Sequence, residues 1–184
     1  MKIAEFFVDG FEQIEALTPV DILRRAGLTI DMISVNNSKM VTSSHNVNIE
    51  TDKNLGEINF EDYDMLIFPG GPGTEKYLES ELLIQNLKRY YENQKGYIAA
   101  ICAAPMVLAT LGILSGKRAA SFPSVEEVLI KNGAKLTREK VVHDGRIITS
   151  RGAGTAIDFS LKLVEILNGH EEMKKISKSI IYEE

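Results

Sequence analysis

"GYIAAICAAPMVLA", from Gly96 to Ala109, contains Cys102, the only cysteine in the chain, and no charged residue. Pro105 stands within it, and a proline inside a helix removes a hydrogen bond and clashes with the preceding turn. One helix therefore does not run through the stretch. Its first half, Tyr97–Cys102, reads as a short apolar strand, and its second half, Ala104–Leu114, as an Ala/Leu/Met-rich helix. An all-apolar strand that feeds a helix is the signature of a parallel sheet buried on both faces. Charge is absent as far as Ser115, close to the ~20 residues of a transmembrane helix. The proline and the change from strand to helix character argue for the buried α/β reading instead.

Outward from there the pattern repeats. "KIAEFFV" (Lys2–Val8), "LTIDMISV" (Leu28–Val35) and "DMLIFPGG" (Asp64–Gly71) read as strands, the last running into a glycine-rich turn. "IEALTPVDILRRAG" (Ile14–Gly27) reads as a helix stopped by its glycine. Thr74–Gln94 has the spacing of one long amphipathic helix, with Thr74 as its N-cap. Lys39–Asp52 is a β-rich excursion, Arg118–Phe122 a short strand, and Pro123–Gly133 a helix with proline at its start. Lys140–Ser150 is a hairpin around Asp144–Gly145, and Gly154–Gly169 an amphipathic helix followed by a charged tail helix. Strands alternating with helices imply a mostly parallel sheet covered on both faces. The length of 184 residues favours one domain, 1–184.

Composition narrows the function classes. A hydrophobic fraction of 44% and a charged fraction of 26% are those of a soluble globular protein. A net charge of −5 argues against nucleic acid or a membrane surface as partner, since both select a basic face. One cysteine permits no internal disulfide, which fits a reducing compartment. The opening "MKIAEFFVDG" is interrupted by Glu5 and Asp9 and lacks a signal-peptide core. The expected location is cytoplasmic.

In sheets of this class ligands bind beyond the carboxyl ends of the strands. Asp9–Glu15, Pro69–Gly73 and Cys102–Pro105 fall at those ends. A lone cysteine is open to two readings, a small buried hydrophobe or a nucleophile on a strand–turn–helix elbow. Ala99, Ala100, Ala103 and Ala104 around Cys102 leave room for such a turn. The helix that follows would offer free N–H groups and lower the thiol pKa. In "FPGGPG" (Phe68–Gly73) the Gly71 N–H, together with that of Ala103, would form an oxyanion-binding pair. Glu12 complements a helix dipole, whereas Glu15, among Ile14, Ala16 and Leu17, faces inward. Burial would raise its pKa, and its protonated form would donate to a thiolate. No Walker loop follows the glycines, and "RGAGTA" (Arg151–Ala156) lacks the third glycine of a dinucleotide fingerprint. No cluster has metal-ligand spacing, so neither metal nor cofactor is expected.

Taken together, "EQIEALTPVDILRRAG", "DMLIFPGG", "AAICAAP" and "ITSRGAGTAIDFSLKLVEILNG" closely resemble the ThiJ/PfpI superfamily, over almost the whole chain and in order. The likeness is to the branch of the parkinsonism-associated protein deglycase and its bacterial chaperone-like relatives. That resemblance implies a flavodoxin-like three-layer α/β/α sandwich, of the class I glutamine amidotransferase-like type, and a homodimer. It implies a reactive cysteine at Cys102, an acid bonded to it at Glu15, and backbone donors at Gly71 and Ala103. It also places Arg25 and Arg151 near the site or the dimer interface. Two departures matter. The protease-like branch has a histidine where Ala103 stands, which argues against peptidase activity, and some closer relatives have one where Phe122 stands. Of the three histidines, His143 reads as exposed beside a hairpin turn and His170 as part of a solvated face. His45 lies in the β excursion, from which it would approach the site of a neighbouring subunit. The expected function is cysteine-dependent protection against 2-oxoaldehydes or their protein adducts, by glyoxalase or deglycase chemistry. The alternative is a non-enzymatic redox sensor or chaperone that uses an oxidisable Cys102.

Overall fold

The alternation of side chains along the central strands sets the layers. In the computed structural model, which describes residues 1–182, β1 (Lys2–Phe7) sends Ile3 and Phe7 to one face and Ala4 and Phe6 to the other, all fully buried. The same division holds in β6 (Met65–Phe68) and β7 (Tyr97–Ile101). With β2 (Thr29–Ser34), β5 (Lys53–Asn54), β10 (Val141–Asp144) and β11 (Ile147–Ser150) they form one sheet in the order β10-β11-β7-β6-β1-β2-β5. Only the β10–β11 hairpin is antiparallel. Helices α1 (Gln13–Arg25), α5 (Ala156–Asn168) and α6 (His170–Ser179) cover the Ile3 face. Helices α2 (Glu81–Glu92), α3 (Pro105–Thr110) and α4 (Glu126–Lys131) cover the other. This is the flavodoxin-like three-layer sandwich. Two small ribbons lie outside it: antiparallel β3 (Met40–Thr42) with β4 (Asn48–Glu50), and parallel β8 (Arg118–Ala119) with β9 (Lys135–Leu136). No described helix is long and apolar enough to cross a membrane.

The helix expected over Thr74–Gln94 is in fact two elements. Pro72–Glu79 forms 3₁₀ turns, Ser80 is extended, and α2 begins at Glu81. Ser80, not Thr74, caps it, its hydroxyl accepting the Leu83 N–H at 3.3 Å. Tyr77 accounts for the break. Its ring is fully buried, and its hydroxyl donates to the carbonyls of Phe6 (2.8 Å) and Pro69 (3.2 Å). A straight helix started at Thr74 would not hold the tyrosine against the ends of both strands. Helix α3 is also shorter than expected, stopping at Thr110 before a series of turns.

The strand order places the site. The chain moves from β1 outward to β2, then returns to β6 on the other side of β1. The loops after β1 and β6 part at this reversal and open a crevice. The turn after β7 borders it.

Candidate active site

Cys102 follows β7 directly, with φ = 64°. A non-glycine residue in this left-handed region is strained by about 1–3 kcal/mol and persists only where its surroundings hold it. Its N–H donates to the Ser150 carbonyl (3.0 Å), and its own carbonyl accepts the Phe122 N–H (2.7 Å). The side chain is 9% exposed, on the wall of a cavity of about 670 Å³. Glu12, Glu15, Ser44, His45, Phe122 and Met106 are among the residues that share this wall.

Glu15 reaches the sulfur from the first turn of α1. Its helix starts at the N-cap Glu12, whose carboxylate accepts the Glu15 N–H at 2.9 Å. The Glu12 N–H in turn donates to the Gly70 carbonyl (2.9 Å), which ties α1 to the β6 turn. The Glu15 side chain is 1% exposed. Its Oε2 accepts the Gly70 N–H at 3.1 Å, and the nearby Cys102 thiol and Ala153 N–H favour its charged form. Gly71 and Ala103 line the cleft with Cys102, and their N–H groups favour the charged form of its sulfur. Cys102, Glu15, Gly71 and Ala103 are thus brought together.

Gly70, which the sequence reading passed over in favour of its neighbour, is equally necessary. A β-carbon there would stand 2.7 Å from Cys102 Cβ and 2.8 Å from Glu15 Oε2. Gly71 adopts φ = 110°, open to glycine at no steric cost, and a β-carbon there would stand 2.5 Å from the Gly10 carbonyl oxygen. The adjacent glycines of "PGG" were the available signal. Ala153 offered none, since its role is carried by the backbone alone.

The electrostatics differ from the expectation of an acidic thiol. Burial, then the neighbouring Glu15 carboxylate, push the Cys102 thiol up, against the smaller opposing pull of the Ala103 and Gly71 N–H groups. Helix α3 starts only at Pro105, and its dipole does not outweigh burial. Burial also lifts Glu15 to about 7, with the thiol and the Gly70 and Ala153 N–H groups acting in the opposite sense. The two groups titrate as a pair. A thiolate forms most readily when Glu15 keeps its proton and donates a hydrogen bond to the sulfur, whose charge the two backbone N–H groups also stabilise.

Arg25 and Arg151 do not line this cleft. Arg25 pairs with Asp21 (2.6 Å) along a groove between α1, α5 and Ser179–Ile181. Arg151 faces Glu126 at 3.9 Å. Among the described residues no three His, Cys, Asp or Glu side chains are grouped to hold a metal ion. His45, by contrast, borders the cleft of its own chain. No spacing in the sequence announced this, because the contact depends on how the β3–β4 ribbon folds over the β1–α1 loop.

The family model described as the DJ-1/PfpI family matches residues 1–166. The chain is 38% identical to Protein dj-1beta of Drosophila melanogaster over 172 residues, which cover 94% of this chain and 92% of that one. It is 34% identical to the glutathione-independent glyoxalase DJR-1.2 of Caenorhabditis elegans, over 92% of this chain and 89% of that one. Among solved structures, oxidized DJ-1 of Toxoplasma gondii superposes with a TM-score of 0.90 at 35% identity, covering 98% of this chain and 97% of that one.

Proposed function

The chain belongs to the DJ-1/PfpI family, and on that premise we propose that it is a cytoplasmic, cysteine-dependent stress-protection enzyme acting on 2-oxoaldehydes or their protein adducts. One observation carries the proposal: the Cys102 sulfur meets the Glu15 carboxyl and the Gly71 and Ala103 N–H groups at one point of an open cleft. The likeness to a protein named as a glutathione-independent glyoxalase supports the same chemistry. The sulfur adds to the aldehyde carbon of a substrate such as methylglyoxal, giving a hemithioacetal. Glu15 gives its proton to the new alkoxide oxygen as the sulfur adds, and as carboxylate it then takes the proton from that carbon and returns it to the neighbouring ketone carbon. Gly71 and Ala103 hold the negative oxygen meanwhile. The aldehyde carbon is thereby oxidised to a thioester and the ketone reduced to an alcohol. Water cleaves the thioester, releasing the 2-hydroxy acid and the thiol. The sequence of steps requires no cofactor. With Ala103 where the protease-like branch has histidine, peptide hydrolysis is not proposed.

The test is lactate formation from methylglyoxal without glutathione. The wild type forms lactate and Cys102→Ser does not; equal rates in the two proteins would remove the thiol from the reaction.

A second reading rests on the same donors. The Gly71 and Ala103 N–H groups and a protonated Glu15 would also hold the oxygens of a Cys102 sulfinate. A stable gain of two oxygens on Cys102 under mild peroxide, in a protein that makes no lactate, would favour this sensor or chaperone role.

A further inference from the structure

The proposed reaction ends with water attacking a thioester, and that water must lose a proton. Glu15 is engaged at the foot of the cleft, between the sulfur and the Gly70 N–H. The Glu12 carboxylate accepts the Glu15 N–H as the helix cap. Carboxylates as a class are also weak bases at neutral pH, whereas imidazole is the side chain suited to proton transfer there. His143 bonds the Gly145 carbonyl and His170 bonds Glu165, both outside the cleft lining. His45 is on it.

The ribbon that carries His45 is fastened to the active-site loop. Gly10 N–H donates to the Thr42 carbonyl (2.8 Å), Thr42 N–H to Asp9 Oδ1 (2.9 Å) and Ser44 N–H to the Phe11 carbonyl (2.8 Å). Ser43 Oγ accepts the N–H groups of His45 (3.3 Å) and Val47 (3.0 Å), bracing a turn in which Asn46 has φ = 62°. The ring itself is held at one nitrogen. Nδ1 lies 3.1 Å from Gln13 Nε2, 3.2 Å from Gln13 Oε1 and 3.1 Å from Ser44 Oγ. With its proton on Nδ1, donated to either oxygen, the ring keeps a lone pair on Nε2. No described residue bonds Nε2.

We propose that His45 is the catalytic base for the hydrolytic half of the reaction, a role that rests on the glyoxalase reading above. His45 Nε2 takes a proton from water, and the hydroxide adds to the thioester carbonyl of acyl-Cys102. The carbon–sulfur bond breaks, and the electron pair leaves on sulfur. The imidazolium then returns its proton to the Cys102–Glu15 pair or to solvent. Gln13 and Ser44 hold the ring in place through Nδ1.

The experiment follows methylglyoxal turnover in wild type, His45→Asn and His45→Ala with an acid quench, intact mass measurement and hydroxylamine treatment. A lactoyl thioester survives acid and is released by hydroxylamine; a hemithioacetal dissociates. The expected result is a turnover slowed at least about 100-fold in both variants, with hydroxylamine-sensitive acyl-Cys102 accumulating. Iodoacetamide labelling of Cys102 stays at the wild-type rate, and added imidazole restores turnover in His45→Ala. Wild-type turnover in His45→Asn, or slow turnover without acyl-enzyme and without imidazole rescue, would overturn the assignment. A wild type that makes no lactate would instead bring down the glyoxalase reading, and this inference with it.

Discussion

At the scale of single residues, the behaviour of Cys102 depends on who holds the Glu15 proton. In Glu15→Gln the charge beside the sulfur is gone and an amide N–H remains to donate to a thiolate. In Glu15→Leu the charge and the donor are both gone. Cys102 is therefore expected to titrate lower in Glu15→Gln than in Glu15→Leu, as read from the pH dependence of iodoacetamide labelling. Equal midpoints, or the reverse order, would separate Glu15 from the sulfur. The convergence of Cys102 and Glu15 was legible in the sequence because each has a local mark: a lone cysteine among alanines, and an acid in an apolar run. The direction of the thiol shift was not legible. It is a balance between burial and donors, and burial is a property of the assembled cleft.

At the scale of elements, β1 carries a feature that no motif explained. Glu5 is 0% exposed, and neither carboxylate oxygen has a hydrogen-bond partner among the described residues. Its pKa is raised well above the ordinary carboxylate value by desolvation, with Arg24 opposing. Sequence reading used Glu5 only as an interruption of a leader-like run and did not see that the strand period turns it inward with Ile3 and Phe7. The folded state holds the protons of Glu5 and Glu15 more tightly than the unfolded chain does. Their contribution to stability is thus complete below the unfolded value near 4.5 and is lost as pH rises through the folded values. For Glu15, lifted to about 7, the loss amounts to about 3 kcal/mol. Replacing Glu5 with leucine removes its part of that loss. The variant should be more stable than wild type by on the order of 2 kcal/mol at pH 8, with a smaller gain at pH 5, by urea denaturation. A gain that does not depend on pH would mean that Glu5 is ionised in the folded protein. The break at Ser80 escaped notice for a related reason. Thr74–Gln94 keeps helical periodicity throughout, and only the hydrogen bonds of Tyr77 to two strand ends show why the chain must bend there.

At the scale of the whole molecule, the parallel sheet and its crevice followed from the apolar strands and the order of the helices. What the sequence could not order in space was the small ribbon that brings His45 over the cleft, because its position rests on backbone bonds to the β1–α1 loop. The same helix that carries Glu15 turns its other side outward, where Ile14 (52% exposed), Ile157 (36%) and Ile181 (83%) border a groove with Leu17 and Arg25. We propose this face as the contact between two copies of the chain. Light scattering should give twice the monomer mass for wild type and a shift toward monomer for Ile14→Lys; a wild type that is monomeric at all concentrations would remove the proposal. The chemistry itself is tested most directly in Glu15→Gln, by measuring lactate formation and Cys102 labelling on the same preparation. The account predicts that labelling persists while lactate formation falls at least about 100-fold, since the sulfur remains and the proton carrier is gone. Lactate formation at the wild-type rate would contradict it.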